Sequence, residues 1–431
     1  MRIVRLNDET RQEALRALVG RSPEGYPEQE KVVAEIIHEV RTRGDEAVLE
    51  YEERFDHCHL TPQTLLVTRE EIEAAYSELD PEFIEVMKRA AGNIRRYHEK
   101  QRQNSWLTME EDGILLGQKV TPIACSGCYV PGGRAAYPSS VLMNLIPAEV
   151  AGVSRIIVLT PPNAEGKINS GTLVAADIAG AKEIYKVGGA QAIAAMAYGT
   201  QTIPKVDMIT GPGNIYVALA KKACFGVTGI DSVAGPSEIL VIADETANPR
   251  YIAADLLSQA EHDPMASAIL LTTTEAFAEA VSREIDLFLQ ELSRADIIRE
   301  SLDHYGFIFV SEKMDDLIDA ANEIASEHME IVTENPYEIM TRIRNAGAIF
   351  LGSYSSEPLG DYYAGPNHIL PTNGTARFFS PLGVDTFVKK SSIISYSREA
   401  LEKVHTDIER FACEEGLTAH ANSIRVRFEE M

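Results

Sequence analysis

The spacing of apolar residues divides the chain into segments with different predicted structure. In Glu28–Phe55 and Thr68–Gln101, apolar residues recur at helical spacing with many charged residues between them, which predicts amphipathic helices. Residues 113–123 are typical of a hairpin or of paired strands. From Tyr129 to about residue 245 the chain becomes apolar and rich in glycine, which favours an α/β structure.

Short apolar strands alternate with helices in two successive sections. The first section has predicted strands at Arg155–Thr160, Glu183–Val187 and Asp207–Thr210, and helices at Gly188–Tyr198 and Asn214–Phe225. The second has predicted strands at Glu238–Ala243, Ala268–Thr272, Gly306–Val310 and Ala348–Leu351, with helices at 249–262, 275–294, 313–327 and 336–345. This alternation predicts βαβ units, parallel sheets and two α/β domains. The last fifty residues are predicted to be helical and then extended.

The composition is that of a globular protein with an excess of acidic residues. Hydrophobic residues make up 45% of the 431 positions, and 65 acidic residues outnumber 40 basic ones, giving a net charge of −25. Such a chain repels phosphate backbones and anionic lipids, so we expect neither nucleic acid nor a membrane as a partner. The most apolar stretch, Val141–Leu159, is interrupted by polar residues and is not a membrane span.

The cysteines favour a reducing compartment. There are five, an odd and sparse set that does not fit a disulfide framework. The opening MRIVRLNDET lacks the apolar core of a signal peptide, so we expect a cytoplasmic protein. Cys125 and Cys128 form a CxxC, but no second CxxC exists and the pair does not open a thioredoxin-like helix. A coincidental spacing is therefore favoured over a redox or zinc motif.

Residues 230–262 carry the most informative polar pattern. A turn of small residues, Ala234–Ser237, precedes a buried-type strand and then a helix that carries Gln259 and His262 near its end. The two side chains are three positions apart and can face one object. Pro264 ends the helix, which places the pair at an element end, where functional sites are common. Taken alone, the pair is more typical of a polar helix face.

No clean dinucleotide fingerprint G-x-G-x-x-G is present. The GPGNIY segment of residues 211–216 follows a predicted strand and opens a helix, but it lacks the third glycine. Asn214 in this segment, and Gly188–Gly189 before another helix, can offer backbone amides to an anion or polar ligand. Tyr129 precedes a tight turn that we expect to expose its ring and hydroxyl. Each segment alone is typical of a connecting turn, and together they favour a nucleotide-type ligand.

Residues of the kinds that bind zinc or move protons are scattered through the second half. They are Glu327 and His328 at the end of a predicted helix, Asp361 and His368 in a loop, and Glu415 and His420 around a glycine turn. Such a set, with Gln259 and His262, suits a mixed nitrogen and oxygen zinc shell. A lone histidine is more often structural, and the spacing does not show that these positions meet.

Seven blocks of this sequence resemble the histidinol dehydrogenase family, in order and over nearly the whole chain. The most specific block is IDSVAGPSEILVIAD, followed by SQAEH, within residues 230–262. The others are YVPGG (129–133), VGGAQAIAAMAYGT (187–200), TGPGN (210–214), SEHMEI (326–331), GDYYAGPNHILPT (360–372) and EGLTAHANSIRVR (415–427). The departures, at Cys125, Cys128 and Met329, do not touch the implied chemistry.

The resemblance implies an activity and a role for each matching residue. The implied reaction oxidises L-histidinol to L-histidine through L-histidinal with two NAD, the last steps of histidine biosynthesis. The implied zinc ligands, for one Zn²⁺ per subunit, are Gln259, His262, Asp361 and His420, and the implied acid/base pair is Glu327 and His328. Ser237 and Glu415 are implied to hold histidinol together with His328 and the zinc ligands. The implied NAD contacts are Tyr129, Gln191 and Asn214.

The resemblance also implies the architecture. It consists of two incomplete Rossmann-like domains with parallel-type sheets, plus small helical or extended terminal modules. We expect an N-terminal module at 1–25, a first α/β domain with the metal and acid/base residues at 26–128 plus 238–380, an NAD-binding domain at 129–237, and a C-terminal module at 381–431. The implied assembly is an intertwined homodimer in which Glu415 and His420 serve the neighbouring subunit.

Four alternatives remain open from the residues. A relative on the same scaffold could oxidise another diol or amino alcohol, such as a sulfonate. A zinc hydrolase could use Glu327 or Glu261 as its base. A non-catalytic assembly protein would make the zinc-type residues incidental. Within a dehydrogenase, Cys128 could trap the aldehyde as a thiohemiacetal, which we rank below a histidine base.

Overall fold

The computed structural model describes residues 1–19, 26–132 and 137–429, and the chain divides into two compact units. The first comprises residues 1–101 and 123–387, and the second comprises 102–122 and 388–431. The end of the predicted N-terminal module and Gly133 of the YVPGG block lie outside the described residues. Among the described helices, none combines the length and the apolar character that a membrane crossing requires.

Six parallel strands, counted over the described residues, form one sheet of the first unit. In spatial order they are Arg2–Arg5, Gly306–Val310, Ser267–Thr272, Glu238–Ala243, His328–Val332 and Ala348–Leu351. The four inner strands are buried along their whole length, as expected for parallel strands covered on both faces. One face carries the helices Pro249–Ala260, Glu275–Phe288 and Ala295–Tyr305, and the other carries Asp8–Val19, Met314–Ile324 and Pro336–Met340.

A second parallel sheet of the first unit has five strands in the described part of the chain. In spatial order they are Glu183–Lys186, Arg155–Thr160, Cys125–Tyr129, Met208–Thr210 and Gly229–Ile230. One face carries the helices Pro27–Arg43, Asp45–Tyr51, Gly189–Tyr198 and Ile215–Cys224. The other face carries Arg69–Glu78, Pro81–Glu99, Pro138–Ala151 and Ser170–Ile178.

The second unit is small and built differently. Its described strands Val388–Ser395, Leu115–Pro122 and Trp106–Met109 form an antiparallel sheet in that order. The helices Arg398–Glu414 and Thr418–Arg425 follow and pack on each other. The prediction that the last fifty residues are helical and then extended is wrong, because the strand comes first. Pairing with Leu115–Pro122, which is distant in sequence, fixes that strand.

The predicted α/β class with two parallel-sheet halves is confirmed, but the grouping of segments differs from the prediction. The helices between residues 27 and 99 were grouped with 238–380, yet their apolar faces pack on the five-stranded sheet. Val33 and Ile36, for example, share a core with Ile157 and Ile193. The first strand, Arg2–Arg5, pairs with Gly306–Val310 and so extends the six-stranded sheet instead of forming a separate module.

The predicted helix 313–327 is too long at its carboxyl end. The helix ends at Ile324 because Ala325 adopts a left-handed conformation with φ of 55°. His328 then begins a strand that pairs with Glu238–Ala243 on one side. The buried environment of the sheet outweighs the helical spacing of the sequence here.

Candidate active site

The residues predicted to be functional lie at the carboxyl edge of the five-stranded sheet and at the amino edge of the six-stranded sheet. Tyr129 ends a strand of the five-stranded sheet, and the turns at Gly188 and Gly211 follow two other strands, so these positions lie at its carboxyl edge. This is the edge at which open α/β sheets bind ligands. His328 and Ser237 instead lie at the amino ends of strands of the six-stranded sheet. The predicted cofactor residues and acid/base residues therefore belong to different sheets.

A cavity of about 970 Å³ lies at the carboxyl edge of the five-stranded sheet. Tyr129, Gln191 and Asn214, the three predicted NAD contacts, all line it. Tyr129 is only 3% exposed, so the expectation of an exposed ring is wrong. Its strand is paired on both sides, and its hydroxyl accepts a hydrogen bond of 3.1 Å from the Gly189 amide. Burial raises the pKa of this hydroxyl, which stays protonated.

Side chains of the protein already occupy amides at the helix starts around this cavity. The Asn214 side chain accepts from the amides of Tyr216 and Val217 at 3.0 and 3.2 Å, which caps the helix Ile215–Cys224. Asn169 caps the helix Ser170–Ile178 in the same way. These helix starts therefore offer a phosphate fewer free amides than the helix start of a Rossmann fold does, in keeping with the missing glycine fingerprint.

The turn before Asn214 is held by a buried ion pair. The Lys221 amino group donates to the Gly211 carbonyl at 2.9 Å and pairs with the Asp231 carboxylate, which itself accepts from the Gly211 amide at 2.8 Å. Gly211 has φ of +112°, and a Cβ there would collide with the carbonyl oxygen of Tyr129. The TGPGN segment thus needs glycine for close backbone approach as well as for its conformation.

A second cavity, of about 540 Å³, contains the predicted metal and acid/base residues. Six residues that were predicted from the sequence line this cavity: Ser237, Gln259, His262, Glu327, His328 and Asp361. Pro131 and Gly132 line both this cavity and the one beside Tyr129. The two cavities therefore adjoin at this turn, which is the arrangement that transfer between a substrate and a cofactor requires.

The metal donors converge at one wall of the second cavity. His262, Glu357 and Asp361 each offer a ligand atom, and these atoms lie within 4.8 Å of one another. Nε2 of His262 is 3.9 Å from Oε1 of Glu357. With its amide nitrogen turned to Glu357, Gln259 donates to the two carboxylate oxygens at 2.9 and 3.1 Å. The imidazole and two carboxylates at this spacing, with the Gln259 amide beside Glu357, are a donor set that fits zinc.

Glu357 is a site residue that sequence reasoning missed. It is buried, its amide donates to Glu330 at 2.8 Å, and Ser258 donates to its carboxylate at 2.8 Å. Burial raises the pKa of this carboxyl, and the neighbouring His328 opposes the shift. In the sequence, Glu357 is marked only by the Pro358 that follows it at the start of a short helix, and this pattern is common at protein surfaces.

Glu327 and His328 are held from the backbone of the neighbouring strand. The Glu238 amide donates to Oε2 of Glu327 at 2.9 Å, and the Glu238 carbonyl lies 3.1 Å from Nδ1 of His328. This contact assigns the Nδ1 proton, so Nε2 is the atom left for chemistry. Among the described residues Nε2 has no hydrogen-bond partner, and it lies 3.8 Å from Oδ1 of Asp361.

The protonation of this pair follows from burial and charge. Burial raises the pKa of Glu327, and the nearby His328 works against that shift. Burial lowers the pKa of His328, but the carboxyls of Glu327, Asp361 and Glu357 outweigh it and raise the pKa. Without a metal ion nearby, the two groups therefore retain their protons more readily than an exposed glutamate or histidine does.

His368 is a further neighbour that was noticed in the sequence but not assigned a role. Its Nδ1 lies 3.0 Å from the Asp361 carbonyl, and its Nε2 lies 3.2 Å from the Ser140 hydroxyl. Burial lowers the pKa of its imidazole, so the ring is neutral at pH 7. His368 thus fixes the backbone that presents Asp361.

Glu415 and His420 lie in the second unit. Glu415 follows the helix Arg398–Glu414, and His420 lies in Thr418–Arg425. Both side chains are exposed. Their meeting with the donors of the first unit, in either subunit of a dimer, stays a prediction.

The CxxC cysteines have no features of a reactive pair. They lie on the strand Cys125–Tyr129 and not at a helix start. Burial raises the pKa of Cys125 to about 11 and that of Cys128 well above its usual range, so neither forms a thiolate at neutral pH. The structure thus supports coincidental spacing and disfavours a thiohemiacetal on Cys128.

Two parallel-sheet halves with adjoining cavities, one of them lined by a buried glutamate and a buried histidine, are typical of an α/β enzyme. The family model described as histidinol dehydrogenase matches residues 20–428. The chain belongs to the histidinol dehydrogenase family.

Relatives and a solved structure agree with this assignment. The chain is 54% identical over 430 residues to a histidinol dehydrogenase of Halalkalibacterium halodurans, covering 100% of both chains. It is 56% identical over 403 residues to the Bacillus subtilis enzyme, covering 94% of each. The crystal structure of histidinol dehydrogenase from Elizabethkingia anophelis matches with a TM-score of 0.93 at 37% identity, over 99% of this chain and 98% of that one. The alternatives of another alcohol, a hydrolase or an assembly protein are not favoured.

Proposed function

We propose that this protein oxidises L-histidinol to L-histidine through L-histidinal with two NAD and one Zn²⁺ per subunit. The observation that supports this most directly is the meeting of His262, Glu357 and Asp361 near Nε2 of His328, with Gln259 bonded to Glu357, in a cavity that adjoins the one lined by Tyr129. Side chains suited to bind a metal and to act as a base thus lie beside a cavity suited to a cofactor, which supports the proposal.

Gln259, His262 and Asp361 would hold the zinc ion, with His420 of the neighbouring subunit as the fourth ligand. When bound, Zn²⁺ anchors the imidazole and amine nitrogens of the substrate and NAD accepts a hydride in each oxidation. Ser237 and Glu415 complete the substrate site in this proposal, because a carboxylate can receive an N–H of the amino alcohol.

His328 acts as the base in the oxidation of the alcohol. Its Nδ1 proton is directed to the Glu238 carbonyl, so the lone pair of Nε2 faces the cavity and takes the hydroxyl proton. A neutral His328 is needed at that moment, and a metal ion held by Asp361 and its neighbours would offset the carboxylate charge that raises the pKa of this imidazole. The Glu327 carboxylate, whose Oε2 lies 3.6 Å from Nδ1, would stabilise the imidazolium that forms.

Glu327 acts in the second half of the reaction. Its carboxylate is buried and oriented by the Glu238 amide, and it would remove a proton from the water that adds to the aldehyde. Once His328 has released its first proton to solvent, it takes the proton of the hydrated aldehyde as the second hydride leaves. Both oxidations thus use one base at one carbon.

The proposal includes a cytoplasmic homodimer with shared active sites. None of the five cysteines, all within the described residues, forms a disulfide, which suits a reducing compartment. The net charge of −25 argues against nucleic acid and anionic membranes as partners. Neither Glu415 nor His420 is buried within its own unit, so both side chains are free to serve a neighbour.

The test is NADH production from L-histidinol, measured with and without a zinc chelator. We expect NADH to form with histidinol, and the rate to fall on chelation and recover with added Zn²⁺. Absence of NADH during turnover of any substrate would refute the proposal. A higher rate with another diol than with histidinol would favour the sulfonate-type alternative.

A further inference from the structure

Glu52 is a fully buried carboxyl to which the family resemblance assigns no role. Its exposure is 0%, and it lies just after the helix Asp45–Tyr51. Oε1 of Glu52 accepts hydrogen bonds of 2.9 Å from the Gly188 amide and of 2.9 Å from the side-chain Nε2 of Gln191. A buried acid is costly unless it is bonded, so these contacts need an explanation.

The Glu52 carboxyl occupies the start of the helix Gly189–Tyr198. In a Rossmann unit, the glycine turn and helix start after a strand receive the pyrophosphate of the dinucleotide. Here the Gly188 amide is bonded to Glu52, and the Gly189 amide is bonded to the Tyr129 hydroxyl. Gly188 supplies no side-chain cap, so Glu52 satisfies the helix start from another element.

The nitrogen of the Gln191 side-chain amide is hydrogen-bonded, whereas its oxygen has no partner among the described residues. Gln191 is 1% exposed, and the unpartnered atom is Oε1. That oxygen borders Gly189, where a Cβ would lie only 2.6 Å from it, and both residues line the cavity beside Tyr129. Because Nε2 is tied to Glu52, the amide cannot turn over, and its oxygen stays available as an acceptor.

We propose that Glu52 is a positioning residue for the cofactor, which fixes the Gln191 amide so that its oxygen accepts a hydrogen bond from an N–H or O–H group of NAD. This inference rests on the proposed function as an NAD-dependent enzyme. It assigns Glu52 no contact with the cofactor, and its effect passes through Gln191 alone.

The carboxyl at position 52 behaves as a neutral group. Burial and the nearby Asp56 carboxyl raise the pKa of Glu52 to about 8. A neutral acid and an amide have similar size and both carry a carbonyl acceptor. Glu52→Gln should therefore preserve the hold on Gln191, whereas Glu52→Ala and the shortened Glu52→Asp should release it.

The test compares cofactor binding in these variants with a matched control. Asp45 is a buried carboxylate on the adjoining helix that binds Thr202 and does not line the cavity, so Asp45→Ala removes a similar structural tie. NADH binding is followed by its fluorescence without histidinol, and the KM values for NAD and histidinol and kcat are measured separately.

We expect Glu52→Ala and Glu52→Asp to weaken NADH binding and raise the KM for NAD by about tenfold, the effect of one lost hydrogen bond to a buried group. The KM for histidinol should stay within about twofold, as should all constants of Glu52→Gln and Asp45→Ala. Gln191→Met should match Glu52→Ala, and the double variant should be no worse than either.

Unchanged NADH affinity in folded Glu52→Asp overturns the inference even if Glu52→Ala does not fold. An equal loss of NADH affinity in Asp45→Ala also overturns the inference, because removing any buried carboxyl contact would then have the same effect. Wild-type protein that neither binds NADH nor makes it from histidinol would instead refute the proposed function.

Discussion

Nε2 of His328 lies 3.8 Å from Oδ1 of Asp361, so the proposed base and a proposed metal ligand lie side by side in the second cavity. The two residues come from different elements: His328 begins a central strand, and Asp361 lies in the turn at 360–364. This contact puts the atom that is proposed to take a proton next to the atoms that are proposed to hold the metal and the substrate.

Replacing His328 by glutamine should lower kcat by about 10²–10⁴-fold, the usual contribution of a general base. NADH binding should be unchanged, because the cavity proposed for the cofactor lies at the edge of the other sheet. Steady-state kinetics with histidinol measure the effect. His304→Gln, an exposed histidine on the helix Ala295–Tyr305, is the control and should behave as wild type. A kcat for His328→Gln within tenfold of wild type would remove His328 from its role.

Glu327→Gln should slow the oxidation of L-histidinal more than that of L-histidinol. The amide keeps the hydrogen bond from the Glu238 amide but cannot remove a proton from water. We expect a loss of about 10²-fold or more in the aldehyde half. Single-turnover measurements starting from each substrate separate the two halves. Equal and negligible effects on both would contradict the assignment.

Alanine at Cys125 and Cys128 should leave turnover within a few-fold of wild type. Their thiols are held protonated by burial, and a protonated thiol is a poor nucleophile. Cys128→Ala should lower thermal stability slightly, because it removes a buried sulfur. A loss of activity by several orders of magnitude in a folded variant would favour the thiohemiacetal route.

Glu357→Gln should weaken metal binding by about 10–100-fold, the usual effect of removing a charged neighbour of a metal site. The Glu357 carboxylate lies beside Gln259 and His262 and brings negative charge to the donor set. Metal content after dialysis against a graded chelator measures this. Glu300→Gln, on an exposed helix face, serves as the control. Full retention of metal by Glu357→Gln would show that the carboxylate is not needed.

The stability contributed by Glu52 should decrease as the pH rises. Its pKa is about 8 in the folded protein, whereas an exposed glutamate titrates near about 4.3, so the unfolded chain loses this proton first. Because the folded pKa is the higher one, the contribution is complete below about pH 4 and is lost progressively up to about pH 8. The Tm of Glu52→Gln minus that of wild type should therefore increase as the pH rises from about 5 to about 8. Parallel thermal scans test this, and a Tm difference that does not change with pH would contradict it.

Much of the fold could be predicted from local pattern, and the errors share a cause. Strands such as Arg155–Thr160 and Glu238–Ala243 are continuous apolar runs, a signal that depends on neighbouring residues only. Arg2–Arg5 and Val388–Ser395 were missed or misplaced because their pairing partners are far away in sequence. The helices at 27–99 show an apolar face, but periodicity does not state which sheet that face covers.

The residues of the candidate site also differ in whether the sequence alone could reveal them. The spacing of Gln259 and His262 allows both to face one object, but only the resemblance to a family gave them, with Asp361 and His420, a role as metal ligands. In the structure the helix ends at Ala260, and His262 follows it. Glu357 has no such spacing and became a site residue only because the chain folds back on itself. Tyr129 was expected to be exposed from its turn, and strand pairing buries it instead.

The sequence by itself determined the alternation of strands and helices, which follows from residue type and from spacing over a few positions. The class of chemistry and the proposed site residues followed from ordered sequence blocks that resemble a known family. Only the tertiary structure decided which helices cover which sheet, that the two cavities adjoin at Pro131–Gly132, and that Glu52 holds Gln191. The reason is that burial and hydrogen bonding between distant segments depend on how surfaces pack, and no local pattern encodes the partner.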